Sequence, residues 1–281
     1  ATNGRGGAIT YAIAAGSGSA TINASTGLIT GISIGSVTLT VTSAGDTNYN
    51  VATTTQLITI GKTTPVLTIT SANTLNVDGA LTATVSTTAT NGRGGAFTYT
   101  IAAGSGSVTI NASTGLITGI SIGTVTLTVI SAGDTNYNVA ATSQLITIGK
   151  TTPVLTITSA NTVNVDGTLT ATVTTTATNG RGGAFTYALS AGSGSATINA
   201  STGLITGISI GTVTLTVTSA GDTNYNVATT SQLITIGKTT PVLAITSANV
   251  ISVDGTLTAT VSSTATNGRG GVITYAIVAG S

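Results

Sequence analysis

The chain repeats itself every 88 residues, and this period limits what it can fold into. The heptapeptide Ala-Thr-Asn-Gly-Arg-Gly-Gly begins at residues 1, 89, 177 and 265, with no insertion or deletion between copies. A unit of this length is long enough to bury a core of its own, so each copy predicts a separate domain. We expect two complete repeats flanked by two partial ones, with these boundaries: 1–61, 62–149, 150–237 and 238–281.

The two ends of the sequence repeat each other. Residues 1–17 recur at 265–281 with two Ala/Val differences, so the sequence starts and stops inside a repeat. We therefore expect it to be part of a longer protein.

Composition narrows the chemistry that this chain can perform. It has no Cys, His, Met, Trp or Glu, and all six acidic residues are Asp. Without His or Cys, no catalytic triad or zinc site can form, and no two carboxylates are close in sequence, so we expect no enzyme and no cofactor. The net charge of +1 predicts no nucleic-acid partner. No apolar run approaches the ~20 residues of a membrane span.

Residues 62–149 show the pattern of one complete unit. Val, Ile, Leu and Thr alternate over short segments that end at Gly, Asn, Asp or Pro, which is typical of strands. Seven such segments predict an all-β fold, with tandem immunoglobulin-like β-sandwich domains that form an extended rod. The predicted strands, A to G, are residues 66–70, 81–88, 96–102, 108–110, 116–120, 124–130 and 143–148.

Two segments resemble a known family. Residues 112–129 read Ala-Ser-Thr-Gly-Leu-Ile-Thr-Gly-Ile-Ser-Ile-Gly-Thr-Val-Thr-Leu-Thr-Val, which resembles the hallmark of bacterial Ig-like domains. The Ala-Gly-Asp-Thr-Asn-Tyr-Asn at 132–138 resembles a loop of repeats in large bacterial surface adhesins, which include gliding adhesins of Bacteroidota. The resemblance covers every repeat. It implies an Ig-like fold and a tandem protein on the outside of a bacterial cell, without indicating a ligand.

The Asp-Thr-Asn-Tyr loop recurs once in each of the first three repeats. One Asp per loop supplies too few oxygen ligands for a strong calcium site, although weak calcium binding stays open. We interpret the loop as a brace, in which Asp accepts backbone N–H groups and Tyr packs on the end of the sandwich. The pairs are Asp46 with Tyr49, Asp134 with Tyr137, and Asp222 with Tyr225.

The Gly-rich segment carries the only Arg of each repeat. Arg93 lies in the predicted B–C loop, which in an Ig sandwich shares one end with the loop that holds Asp134. Arg93 and Asp134 can therefore pair within one domain. Alternatively, Asp78 pairs with Arg181 of the next repeat, as Asp166 does with Arg269. An exposed pair of this kind contributes about 0–1 kcal/mol.

The segment Lys-Thr-Thr-Pro is typical of a short linker, because Pro cannot continue a strand ladder. An intramolecular isopeptide bond needs a buried Lys, which a linker does not offer. The linker residues are Lys62, Pro65, Lys150, Pro153, Lys238 and Pro241.

Two other polar patterns have ordinary explanations. Asn23, Asn111 and Asn199 begin Asn-Ala-Ser, formally a glycosylation sequon, but each lies where a tight turn is expected. Rows of Thr, as in residues 124–129, are similar to ice-binding faces, but a twisted strand presents few Thr in register. We attribute these rows to the strand propensity of Thr on a solvent face. O-linked glycan on these Thr residues stays open.

Three functions compete at this point. The first is a spacer in the stalk of a giant extracellular adhesin or fibre, whose partners are neighbouring repeats and other copies of the same fibre through lateral association. The second is a pilus-like subunit that polymerises when half-domains complete each other, although the shared 17 residues would supply strand C twice. The third is an array of carbohydrate-binding modules, which is difficult to reconcile with two Phe and seven Tyr.

Overall fold

A computed structural model describes residues 7–90, 94–178, 182–266 and 271–278. All regular secondary structure in these ranges is β-strand, so the all-β prediction is confirmed. The chain divides into two compact units, Ala1–Lys150 and Thr151–Ser281, and the division falls at a repeat boundary. No described segment forms a helix with the length and hydrophobicity of a membrane span.

The first unit begins with five strands from the first repeat. Strands β1, β4 and β5 form one antiparallel sheet, and β2 pairs with β3 in the other layer. These strands correspond to C, F and G and to D and E of the prediction. Their bounds are β1 (Ile9–Ala15), β2 (Ser19–Ile22), β3 (Ile29–Ser33), β4 (Gly35–Ser43) and β5 (Ala52–Ile60).

The complete repeat of the first unit has nine strands in two layers. One layer is the four-stranded sheet β10-β13-β14-β7, and the other contains β11-β12-β8 and the pair β6-β9. The strands are β6 (Leu67–Ile69), β7 (Thr74–Asn76), β8 (Ala80–Thr82), β9 (Val85–Thr87), β10 (Phe97–Ala102), β11 (Ser107–Ile110), β12 (Leu116–Ser121), β13 (Gly123–Ser131) and β14 (Ala140–Gly149).

Nine strands form where seven were predicted, because predicted strand B divides in two and an unpredicted strand, β7, follows strand A. The region of strand A continues past β6 into β7, which crosses to the other layer and pairs in parallel with β14. Strand B divides into β8, which pairs with β12, and β9, which pairs with β6. In strand B the alternation of Leu81, Ala83 and Val85 runs through the change of partner without a break, so the sequence pattern does not reveal it.

The core lies between the two layers and is built on the alternating face of β13. Val125, Leu127 and Val129 alternate along predicted strand F and are buried, and they face a layer that includes buried Ile117. In the complete repeat of the second unit, the core cluster consists of Val163, Ala171, Ile205, Val213, Leu215, Val217, Ile234 and Ile236.

The second unit repeats this topology in residues 151–237. Its last repeat forms only two strands within the described ranges, which pair with each other, and residues 271–278 form none. The sequence pattern predicts strands A to C in residues 238–281, but C does not form in residues 271–278. In the complete repeat C pairs with F, and the described part of the last repeat contains no F strand. The strands are β15 (Leu155–Ile157), β16 (Thr162–Asn164), β17 (Thr168–Thr170), β18 (Val173–Thr175), β19 (Phe185–Ser190), β20 (Ser195–Ile198), β21 (Leu204–Ser209), β22 (Gly211–Ser219), β23 (Ala228–Gly237), β24 (Leu243–Ile245) and β25 (Val261–Ser263).

Candidate functional site

The loop between β13 and β14 is organised by one carboxylate. Asp134 Oδ1 accepts the backbone N–H of Asn136 at 2.8 Å and of Tyr137 at 2.9 Å, and Asp134 N–H donates to the Tyr137 carbonyl. Asp46 and Asp222 accept the same pair of N–H groups in their own repeats. This local turn therefore forms in all three copies of the loop.

The tyrosine of the loop is buried in both complete repeats. Tyr137 is 6% exposed and Tyr225 is 0% exposed. Tyr137 Oη accepts the backbone N–H of Thr90 at 2.9 Å, and Tyr225 Oη accepts that of Thr178 at 3.0 Å. The ring thus joins the β13–β14 loop to the chain that follows β9, and its one polar atom is satisfied.

The linker before the repeat is hydrogen-bonded to the same loop. Thr63 forms a parallel bridge to Tyr137, in which Asn138 N–H donates to the Thr63 carbonyl at 2.9 Å. Asn138 Nδ2 donates to Thr64 Oγ1 at 3.1 Å, and Lys62 Nζ donates to the Asp134 carbonyl at 2.7 Å. Pro65 is buried. We call this set, residues 62–65 with the loop 132–139, the linker clamp.

The second unit contains the same clamp. Asn226 N–H donates to the Thr151 carbonyl at 2.9 Å, and Asn226 Nδ2 donates to Thr152 Oγ1 at 3.0 Å. Pro153 is buried like Pro65. The sequence predicted a plain linker at these residues and did not predict its attachment. The signal was present in the Asn that follows Tyr in every copy of the loop, since an amide side chain can bond to a nearby strand.

A buried hydroxyl attaches the B–C loop to the clamp. Ser131 is 0% exposed and donates a hydrogen bond through Oγ to the Gly94 carbonyl. Gly95 has φ +91°, and a Cβ on it would collide with the Gly133 carbonyl. Only glycine permits this close approach of the two loops. Ser219 donates in the same way to Gly182.

The opposite end of the domain carries an unusual turn. Asp78, Asp166 and Asp254 have φ of 61°, 64° and 65°, and they are the only described residues other than glycine with positive φ. Asp tolerates the left-handed region better than most residues because its short side chain bonds locally. The pattern Asn-Val-Asp-Gly at 76–79 predicts a turn in which Gly79 takes the unusual dihedral, but Asp78 takes it instead.

Within each unit, this turn end of one repeat contacts the clamp end of the next. In the first unit, Ile34 N–H donates to Asn136 Oδ1 at 3.1 Å. In the second unit, Asp166 accepts hydrogen bonds from the backbone N–H and the hydroxyl of Thr266, and Thr239 Oγ1 donates to the Val165 carbonyl.

The predicted ion pairs involve residues outside the described ranges. Arg93, Arg181 and Arg269 lie there, so the structure does not place their pairing with Asp134, Asp78 or Asp166. Lys62, Lys150 and Lys238 are exposed. In the described part of the chain, no three Asp residues cluster as a metal site would require.

A cavity of about 440 Å³ lies in the second unit. Asp166, Lys238, Pro241 and Ala265 are among its lining residues. Pro65 and Ala89, which correspond to Pro241 and Ala265, are buried in the complete repeat. Pro241 and Ala265 themselves are half-buried, so they are more accessible than their counterparts in the complete repeat.

The Asn-Ala-Ser segments form the tight turns that were expected. Asn111 Oδ1 accepts the N–H groups of Ser113 and Thr114 at 3.0 Å each, and Asn23 and Asn199 do the same in their repeats. Gly115 closes the turn with φ +69°.

Comparison with known proteins identifies the repeat. Residues 150–230 match the family model of the bacterial Ig-like domain (group 2). No curated protein sequence matches the chain.

The solved structures to which this chain is similar share little sequence with it. A structure of Sidekick-1 immunoglobulin domains 1–5 is 15% identical, with a TM-score of 0.30; the match covers 82% of this chain and 52% of that one, so this chain spans about half its length. Fibronectin(III)-like modules of Clostridium thermocellum CbhA are 13% identical over 62% of this chain and 95% of theirs, with a TM-score of 0.25. Domains 4–9 of the surface layer protein SbsC are 15% identical over 87% of this chain and 42% of theirs, with a TM-score of 0.24.

The repeats outside the matched segment resemble it in sequence and strand pairing. Residues 62–149 and 150–237 have nearly the same sequence and the same strand pairings, and the first repeat has the same β13-type and β14-type strands. Residues 150–230 match the bacterial Ig-like domain, and the repeat at 62–149 shares the sequence and strand pairings of that segment.

Proposed function

We propose that this chain is a structural spacer in the stalk of an extracellular fibre or adhesin of a bacterial surface. Domains of this family occur in surface or extracellular proteins, and Ig-like families are generally not enzymes. The observation that carries the proposal is the linker clamp. A spacer must hold neighbouring domains in a fixed relative orientation. A linker that is hydrogen-bonded to a domain restricts that orientation, whereas a free linker does not.

The clamp removes the flexible segment that usually separates domains. Residues 62–66 join Gly61 to the first strand of the next repeat, and Lys62, Thr63 and Thr64 bond to the 132–139 loop. Each linker hydrogen bond contributes only about 0.5–1.5 kcal/mol, but several act on the same short segment. Ile34 then contacts Asn136, so the preceding domain touches the loop that holds the linker.

A chain of this kind becomes longer by adding further copies of the same domain. Strands of nine and ten residues at ~3.3 Å per residue are about 30–33 Å long, and the loops at both ends make each domain roughly 35–45 Å long. The copies differ mostly by conservative changes, so each one performs the same task.

The placement of tyrosine favours a spacer over a carbohydrate-binding module. Sugar-binding sites present exposed aromatic rings, whereas Tyr99, Tyr137 and Tyr225 are at most 8% exposed in the complete repeats, and Tyr187 is half-buried. These rings stabilise the domain and offer no exposed platform.

Distance measurement across the first junction tests the proposal. The chain has no cysteine, so Ser25→Cys and Ser113→Cys introduce two unique spin-label sites one repeat apart. A spacer gives one narrow distance distribution by double electron–electron resonance. The double variant Asn136→Ala/Asn138→Ala should broaden this distribution about twofold, because it removes the side-chain contacts to Ile34 and Thr64.

A matched control separates the clamp from the loop. Asn48 and Asn50 occupy the same two positions in the first repeat, where the described residues hold no linker. Asn48→Ala/Asn50→Ala should leave the distribution unchanged. A broad distribution in the unmodified chain would refute the spacer proposal.

A further inference from the structure

The largest regular surface of each repeat is free of charge. Strands β10, β13 and β14 form a continuous antiparallel ladder with no shift of register, whereas the other layer is interrupted by a bulge at Ser107/Val108. No Asp, Lys or Arg occurs in these three strands. We call the outward side of this ladder the threonine face; in the complete repeat of the first unit it consists of Thr98, Thr100, Ala102, Thr124, Thr126, Thr128, Ile130, Ala141, Ser143, Leu145 and Thr147.

The residues of the threonine face line up in rows across the strands. Thr100, Thr128 and Ser143 form one row, and Ala102, Thr126 and Leu145 form the next. Two large apolar side chains lie on this face: Leu145 is 57% exposed and Ile130 is half-buried. The corresponding Leu57 and Leu233 are 66% and 56% exposed. All three leucines lie opposite a threonine of the neighbouring strand: Thr38, Thr126 and Thr214.

This face has a low cost of association. Threonine is stiff at χ1, so its side chain loses little conformational freedom when another surface covers it. When another surface covers this face, no charged group loses its contact with water. The whole chain has a net charge of only +1, so two copies repel each other little. Long charged side chains, the usual protection of an exposed sheet, are absent from its strands.

Size and periodicity determine which partner fits. Nine residues along β13 and three adjacent strands give a face of about 30 Å by 14 Å, or roughly 400 Å². A stable interface needs about 800 Å² from each partner, so a single face is too small and several must bind together. A second copy of this chain carries the same face at the same interval of 88 residues, which an unrelated partner does not.

We propose that the threonine face is a lateral contact through which two copies of this chain associate side by side. Each repeat contributes its own face to the association, and that face carries Leu57, Leu145 or Leu233. The contact adds a second function to the array, namely bundling, and it does not depend on the spacer role, since stiff and flexible arrays can both associate.

Sedimentation of the whole chain tests the proposal. The mass of the unmodified chain should rise from 27.1 kDa towards twice that value as concentration rises from micromolar to millimolar. The triple variant Leu57→Lys/Leu145→Lys/Leu233→Lys places one charge in each face, and its association should weaken roughly tenfold or more. High salt should not weaken association of the unmodified chain, because the contact contains no ion pair.

The matched control moves the same charges to the other layer. Leu28, Leu116 and Leu204 are exposed in the same three repeats and precede or begin the strands of the opposite sheet. Leu28→Lys/Leu116→Lys/Leu204→Lys has the same composition and net charge, and should associate like the unmodified chain. The proposal would be overturned if the unmodified chain kept the monomer mass at every concentration, or if both triple variants lost self-association equally.

Cross-linking provides an independent measurement that does not require a disruptive variant. Ser143→Cys changes one atom at the centre of the middle face of a chain that has no other cysteine. Mild oxidation should yield a disulfide-linked dimer, whereas Ser113→Cys in the turn before β12 should stay monomeric. Equal yields from the two variants would contradict a contact through the threonine face.

Discussion

The loops 46–49 and 134–137 have the same sequence and different surroundings. Asp46 Oδ1 accepts the N–H groups of Asn48 and Tyr49 at 2.8 and 3.0 Å, close to the 2.8 and 2.9 Å at Asp134. Yet Tyr49 is 45% exposed and Tyr137 is 6% exposed. The turn is thus a property of four residues, while burial of the ring needs the rest of the domain.

The missing neighbours explain the difference. Tyr137 bonds to Thr90 and bridges to Thr63, and both residues belong to the linker and the A–B region of its own repeat. The first repeat has no such region among its described residues. Its tyrosine therefore stays on the surface, although its loop closes correctly.

The largest contrast should come from removing the ring. Tyr137→Ala should cost about 3–5 kcal/mol of the unfolding free energy of the second repeat, because a large buried side chain leaves a cavity. Tyr49→Ala should change the first repeat by no more than about 0.5 kcal/mol. Hydrogen exchange of β13 and β4 amides measures the two repeats separately, since these strands differ at Thr124/Ser36 and Ile130/Thr42. Equal losses in both repeats would show that burial of the ring contributes nothing.

The carboxylate should have a smaller effect in both loops. Asp134→Ala leaves two N–H groups in a half-buried loop without their acceptor, which should cost about 1–3 kcal/mol. Asp46 is exposed, so water can replace the lost acceptor and Asp46→Ala should cost less. Urea unfolding monitored by hydrogen exchange provides the comparison, with Asp134→Asn as the control that keeps an acceptor oxygen. A greater loss from Asp46→Ala would contradict the role of burial.

The hydroxyl alone should give the smallest contrast. Tyr137→Phe keeps the ring and leaves the Thr90 N–H without its partner, so the second repeat should lose about 0.5–1.5 kcal/mol. Tyr225→Phe should act alike through Thr178, and Tyr49→Phe should have no effect. Hydrogen exchange measures these losses. If the Thr90 amide stayed protected from exchange in Tyr137→Phe, the hydrogen bond from Thr90 N–H to Tyr137 Oη would be contradicted.

Strand C shows the same division between local and distant causes. Residues 9–15 form β1 and residues 97–102 form β10, each paired with the F strand of its own repeat. Residues 271–278 have a closely similar sequence and form no strand. Alternation of apolar residues permits a strand, but the hydrogen bonds that stabilise it come from a partner far along the chain.

The sequence by itself determined the features that depend on near neighbours. These are the 88-residue unit, the alternation that buries Val125 and Leu127, the Asp-centred turn and the tight turn at Asn111. Each depends on residues a few positions apart, and their side-chain chemistry is visible in a single repeat.

Only the tertiary structure decided which segments meet. The pairing of strands A and B and the attachment of Lys62, Thr63 and Thr64 to the 132–139 loop join segments that are far apart in the sequence. The positive φ of Asp78 is a dihedral angle that the sequence pattern does not specify. The physical reason is that a strand pattern specifies which face of a segment is apolar, whereas its partner depends on the competition among all strands for the same hydrogen bonds.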